Sequence, residues 1–439
     1  MKFRGLIAAA VVLLVLAGVL YWSEHRKTPE NTASTASSPA ILTVDPAAVT
    51  SLTVKQKGAQ PVTLVRSGSQ WQITSPGTFP ADSGAVSAML SSLAPLKSDS
   101  VVEDKATNLG EFGLSDPSVE LDVSTKGNKT SRLLLGDDMP TGDGVYVAVA
   151  GDSRVFTATS FTKTSLNKSL TDLRDKRLLP IDASSVSSID LLRKGDDIGF
   201  ARVQNGWQIE KPQPYRTDNF QVDDLLQQLT SAKWDVSASS EDAAKTFAHA
   251  TPVATVKIVG SSGDDSLDVR KDKDDYYATS SAIGGTWKID STNASALGQA
   301  LGHSLDDFRN KQLFDFGFAD PDKIEYHSGP TTMVLTHTGK DWFSNGKKMD
   351  EDSAAMVATA LRDLSATKFV DSGFTTPTIE ITVTSGGGKK VEKVQMQRVG
   401  EGAIAKREDD ATLYSLDGTT TRSLTDAIAG IKPAGPEKR

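Results

Sequence analysis

Residues 172–192 read "DLRDKRLLPIDASSVSSIDLL", and residues 307–327 read "DFRNKQLFDFGFADPDKIEYH". Aligned on Arg174 and Arg309, the two stretches agree in chemistry at most positions. A chain that repeats itself over such a distance is read as tandem copies of one folding unit.

Three landmarks recur in order around these stretches. A tryptophan sits in a strand-like hairpin: "GSQWQI" at Trp71, "NGWQIEKP" at Trp207 and "GKDWFSNG" at Trp342. An aspartate then opens an amphipathic helix. Asp82 precedes Val86, Met89, Leu90 and Leu93, Asp218 precedes Val222, Leu225, Leu226 and Leu229, and Asp350 precedes Ala354, Val357, Ala358 and Leu361. The apolar residues keep the same offsets in all three, so they share one helical face, and the aspartate is placed to cap the first free N–H groups. The third landmark is an aromatic residue leading through proline into an alternating strand: "FGLSDPSVELDV" from Phe112, "FAHATPVATVKIV" from Phe247 and "FTTPTIEITV" from Phe374. Such alternation predicts strands with one buried face.

A closing helix completes each copy. Leu166, Leu170 and Leu173 match Leu301, Leu305 and Phe308, then Leu424, Ile428 and Ile431, followed in turn by Arg174, Arg309 and Lys432. Short strands such as "VTSLTV" and "PVTLV", and later "RLLLG", "VYVAV" and "VFTAT", stand at hairpin spacing. The predicted class is α+β: three tandem units of mostly antiparallel sheet, each with one mid-unit helix and one closing helix, behind an N-terminal transmembrane helix. The predicted divisions are an anchor over 1–27, a tether over 28–46, units over 47–182, 183–320 and 321–433, and a tail over 434–439. The third unit is the shortest.

The chain's 439 residues are too many for one ordinary domain, and a net charge of −8 argues against nucleic-acid binding. The absence of cysteine excludes disulfides, thiol catalysis, thiolate metal sites and lipid attachment to an N-terminal cysteine. Lys2 and Arg4 precede the uncharged run "LIAAAVVLLVLAGVLYW". As a helix this run would be ~26 Å long, at the short end of what spans a bilayer. No small-residue cleavage site follows it, and Tyr21 and Trp22 suit the membrane interface, so it is read as an uncleaved anchor. The balance of positive charge favours a cytoplasmic N-terminus, a single pass through the cytoplasmic membrane and an extracytoplasmic bulk. "TPENTASTASSPA" is then a small, polar tether.

An anchor followed by units of the form strand, strand, "W-x-I…P…D", amphipathic helix and "F-G-L…P" resembles the bacterial family called domain of unknown function 4340. That resemblance implies an accessory role in the cell envelope beside ABC-transport components of the gliding-motility type. It carries no catalytic residue to this chain. The third copy departs from the family pattern, lacking prolines between Trp342 and Asp350 and reading "DWFSNG" for "W-x-I".

Residues present in all three copies are read as fold determinants: the three tryptophans as core or hairpin anchors, the three aspartates as caps. Arg174 and Arg309 are expected to meet a carboxylate or helix-end carbonyls. "GDDMPTGDG" over 136–144 and "DVRKDKDDYY" over 268–277 place acids near turns but lack the spacing of a calcium loop. His327 and His337 fall on neighbouring strands without a third metal ligand in view. "TSGGGKKVEKV" joins two strands, so it is a hairpin rather than a phosphate loop. No catalytic, metal or cofactor residue is assigned. The leading expectation is a non-enzymatic binding or scaffold protein at the membrane, its partners including transport components. The alternative is an enzyme acting on an envelope polymer in a cleft between units, and a maturation factor reads no differently from the first. The oligomeric state is not legible.

Overall fold

The computed structural model describes residues 39–435 apart from Asn128 and Ser262. The expected anchor and most of the tether therefore lie outside the described residues. Among the described residues no helix is long and apolar enough to cross a membrane.

The described residues divide into two compact units, parted between Lys176 and Arg177. The first holds a nine-stranded sheet, with a two-stranded one beside it, and the second a seven-stranded and a nine-stranded sheet. In each copy the first strand lies mid-sheet: Val49–Gln56, Val186–Arg193 and Lys323–Ser328. It pairs antiparallel with the next hairpin strand on one side. On the other it pairs with the first strand of the second meander, Val119–Thr125, Thr251–Gly260 or Ile379–Ser385. Alternation buries Val119, Leu121 and Val123 in the first copy and Ile379, Ile381 and Val383 in the third.

The helices are α1 (Ser83–Leu93), α2 (Ser160–Leu166) and α3 (Leu170–Leu173) in the first copy. The second has α4 (Asn219–Ser231), α5 (Ser240–His249), α6 (Ser291–Gly302) and α7 (Leu305–Phe308), and the third α8 (Glu351–Arg362) and α9 (Gly418–Ala429). The mid-unit helices α1, α4 and α8 bury the four apolar positions that their periodicity marks. In each copy the mid-unit helix packs beside a closing helix: α1 with α2, α4 with α6 and α8 with α9.

Two expectations about helices need correction. The closing helix is continuous in the third copy but broken in the first two. Ser169 and Ser304 open a new turn there by donating their N–H groups to Asp172 and Asp307, each at 2.9 Å, as in a capping box. The second copy also carries α5, which overlies the strands of the second meander.

One contact recurs in all three copies. The backbone N–H of Asp82 donates to the Leu173 carbonyl (2.8 Å), that of Asp218 to Phe308 (2.8 Å) and that of Asp350 to Lys432 (2.9 Å). Two residues on, Asp175, Asn310 and Ala434 return bonds of 3.0, 2.9 and 3.0 Å to the carbonyls of Pro80, Arg216 and Lys348. The chain leaving each closing helix is thus clasped to the chain entering the mid-unit helix. The clasp also corrects the alignment of the third copy: Pro433, not Lys432, occupies the place of Arg174 and Arg309.

The cores begin earlier than strand alternation suggests. Ala40–Leu42 forms a strand on Leu96–Lys97, and Ile41 and Val44 lie in the first core. Leu178 and Leu179 enter the second core, and Leu313, Phe314 and Phe316 the third. The apolar pair after each arginine therefore belongs to the following core. In the third copy an almost fully buried ion pair, Arg407–Glu392 at 3.2 Å, holds this entry segment. Arg407 donates to the Leu313 carbonyl, and Glu392 accepts the Asp315 N–H at 2.9 Å. Removing one partner of such a pair strands a buried charge.

Ile41 provides a test, because a tether residue and a core residue respond differently to truncation. Ile41→Ala should lower the stability of the first unit by ~2–5 kcal/mol, as Leu313→Ala should in the third copy. Urea unfolding followed by tryptophan fluorescence measures both, and a change near zero for Ile41→Ala would return that residue to the tether.

Candidate functional site

Each landmark tryptophan is buried and faces a cross-strand partner that the sequence did not reveal. Arg66 pairs with Trp71, Arg202 with Trp207 and His337 with Trp342. The Arg202 guanidinium lies 4.3 Å from the Trp207 ring, and the His337 ring stacks on Trp342 at 4.7 Å. His337 thus takes, in the third copy, the place over the indole that an arginine holds in the first two. His327 sits at the other end of the same strand pair, its Nδ1 3.3 Å from the Thr332 hydroxyl, so the structure does not bring the two histidines together. Asp82, Asp218 and Asp350 cap α1, α4 and α8 through their carboxylates.

The acidic turns are hairpin tips. Asp138 pairs with Lys163 at 2.8 Å, and Lys273 turns the chain between strands Gly263–Asp272 and Asp275–Ser280. The glycine turn at 386–388 directs the N–H groups of Gly387 and Gly388 to the Asp322 carboxylate, at 2.8 and 3.0 Å. Its anion is supplied by the chain itself. Among the described residues no group of three His, Asp or Glu could hold a metal ion.

A different feature emerges where the second and third copies meet within 177–439. The Arg309 guanidinium is sandwiched between Tyr215, at 4.0 Å, and Phe369, at 3.6 Å. Its edge donates to Asp306 (3.0 Å) and Thr412 (3.3 Å). The expected carboxylate partner is therefore present, joined by aromatic faces from both copies. Beside it, Arg216 donates to the Gln312 carbonyl (2.7 Å) and the Tyr414 hydroxyl (3.1 Å), and also pairs with Asp315.

A pocket of about 560 Å³ opens next to this junction, with Gln213, Arg309, Asp371, Phe374, Lys406 and Asp410 among its lining residues. It exists because the third copy is shorter there. In the first copy, residues 104–118 include the turn Leu109–Phe112, whose Phe112 packs on Tyr146, Ala148 and Val155. In the second, residues 235–250 include α5. In the third, only 371–378 separate the corresponding strands, and that segment holds no helix. The short loop is pinned by Gln397, which accepts the N–H of Thr375 at 2.6 Å, and by Gly373. Gly373 has φ +106°, and a Cβ there would lie 2.7 Å from Ile404 Cδ1.

Behind the pocket the Tyr414 hydroxyl and the Asp410 carboxylate are bonded to each other. Burial pushes the Tyr414 hydroxyl up to about 12 against the charge of Arg216, and its bond to Asp410 (2.7 Å) adds to the rise. Burial draws Asp410 upward as well, but hydrogen bonds from Tyr414 and Thr412 outweigh it and hold the carboxyl below its ordinary range. A neutral phenol and an ionised carboxylate make a fixed donor–acceptor pair.

These features define a tandem α+β protein whose copies are clasped alike and whose third copy carries an open polar pocket. The chain belongs to the family described as "Domain of unknown function (DUF4340)", whose model matches residues 71–208 and 207–382, each match beginning at a landmark tryptophan. No curated protein matches it. Two crystal structures of the DNA polymerase sliding clamp from Pseudomonas aeruginosa, one with ligand, overlap it at 9% and 10% identity. They cover 86% of this chain and 93% of the clamp, with TM-scores of 0.16 and 0.17. Overlap at that level defines neither fold nor function.

The raised Tyr414 value predicts a specific alkaline weakness. The unfolded phenol ionises near 10 while the folded one stays neutral to about 12, so its stabilising contribution is complete below pH 10 and is lost as pH climbs through that window. The wild type should therefore lose ~2–3 kcal/mol more than Tyr414→Phe between these limits, measured by denaturant unfolding at stepped pH.

Proposed function

We propose that this chain is a membrane-anchored binding and scaffold protein of the bacterial envelope, accessory to an ABC-type transport system, with its repeated units outside the cytoplasm. The run 6–22 behind Lys2 and Arg4 supports the anchor, and the family resemblance supports the setting. One observation carries the binding part. The residues common to all copies are used up in building the fold, whereas the polar pocket lies where the third copy departs from the other two. An envelope-polymer enzyme would also use a cleft at this junction. The Tyr414 hydroxyl and the Asp410 carboxylate are spent on a bond to each other at 2.7 Å, which favours holding a ligand over moving protons.

The proposal is tested by comparing the full chain with one starting at Pro39. The full chain should sediment with membranes, and after crosslinking should carry transport-permease or ATPase subunits with it. The shortened chain should remain in the supernatant with an unchanged melting temperature. Sedimentation of both forms, or a pulldown empty of transport subunits, would count against the anchor and the partner respectively.

A further inference from the structure

We infer that the third-copy pocket is a saccharide site, taking a neutral, hydroxyl-rich ligand of one or two sugar rings. This rests on the binding reading above and names the ligand class.

The argument begins with which pocket groups are already engaged. Arg309 has its charge met by Asp306 and both faces covered by rings, and Asp410 is held by Tyr414 and Thr412. Among the described residues Lys406 and Asp371 have no ion-pair partner, and both line the pocket with the amide of Gln213. The unengaged groups thus comprise a donor-only ammonium and an acceptor-only carboxylate, beside the Gln213 amide, whose Nε2 donates to the Tyr215 hydroxyl at 2.5 Å and whose oxygen is left to accept. With both signs of charge present, no excess of either draws in a simple ion. A sugar hydroxyl both donates and accepts, so a ring of hydroxyls can satisfy all three groups.

The remaining wall is apolar. Pro214, Val370 and the half-buried Phe374 line it, and such surfaces suit the C–H faces of a pyranose ring. Size points the same way. About 560 Å³ lies within the ~300–1,000 Å³ typical of small-molecule sites and exceeds what a single amino acid would fill. The second copy fills this position with α5 and the first with the Phe112 turn, so the site is specific to the third copy.

The test uses the full chain in a sugar-free detergent, with N,N′-diacetylchitobiose and maltose as probes and dialanine as the zwitterionic comparison. Saturation-transfer NMR should show transfer to the ring C–H protons of at least one disaccharide, exceeding that to dialanine. Ala411→Trp, at an exposed position on the pocket lining, should weaken binding at least tenfold, and Asp371→Asn should weaken it with the melting temperature unchanged. Transfer that is absent for both sugars, no stronger than for dialanine, displaced by millimolar inorganic phosphate, or indifferent to Ala411→Trp overturns the saccharide assignment. The membrane and pulldown results are read separately, so failure here leaves the anchored-scaffold reading standing or falling on its own data.

Discussion

The structure depends on a double use of one residue. In each copy the aspartate ahead of the mid-unit helix caps that helix with its carboxylate, while its own N–H is taken by the carbonyl of the departing chain. A free helix N-terminus and a free strand edge are both costly when partly buried, because their polar groups lose water without gaining a partner. One aspartate resolves both. It also fixes the start of the mid-unit helix relative to the end of the closing helix, setting the whole helical layer over the sheet. The apolar faces then pack where the clasp has placed them.

Much of this was visible in the sequence because it is periodic. The helix faces of α1, α4 and α8 and the alternating strands are local patterns, and burial follows them residue by residue. What lacked periodicity was missed. Ile41 and Val44 are core residues without an alternating neighbourhood, so they read as part of a tether. The capping boxes at Ser169 and Ser304 were present in "SLTDL" and "SLDDF", but the leucine periodicity ran through them and hid the break. The Arg66, Arg202 and His337 pairings needed strand register, which spacing alone does not supply. The pocket was the least legible feature. The shortness of the third copy could be read, but not that the missing segment was the cover over a sheet.

Repetition also separates structural from ligand-facing chemistry. Trp71, Trp207 and Trp342 could each have been taken for a binding platform. Their constant cross-strand partners show instead a solution to packing an indole at a hairpin edge, varied only by imidazole for guanidinium. Lys406 and Asp371 have no comparable place in the fold.

The replacement of the junction arginine by Pro433 changes what the third copy's clasp can hold. Arg309 binds one copy to the next by offering a flat cation to rings on both sides. Proline offers no charge and no backbone donor, and Lys347 stands where Tyr215 stood. The third copy thus keeps the backbone clasp but loses the flat cation, and one side chain separates a copy that can grip aromatic rings from one that cannot.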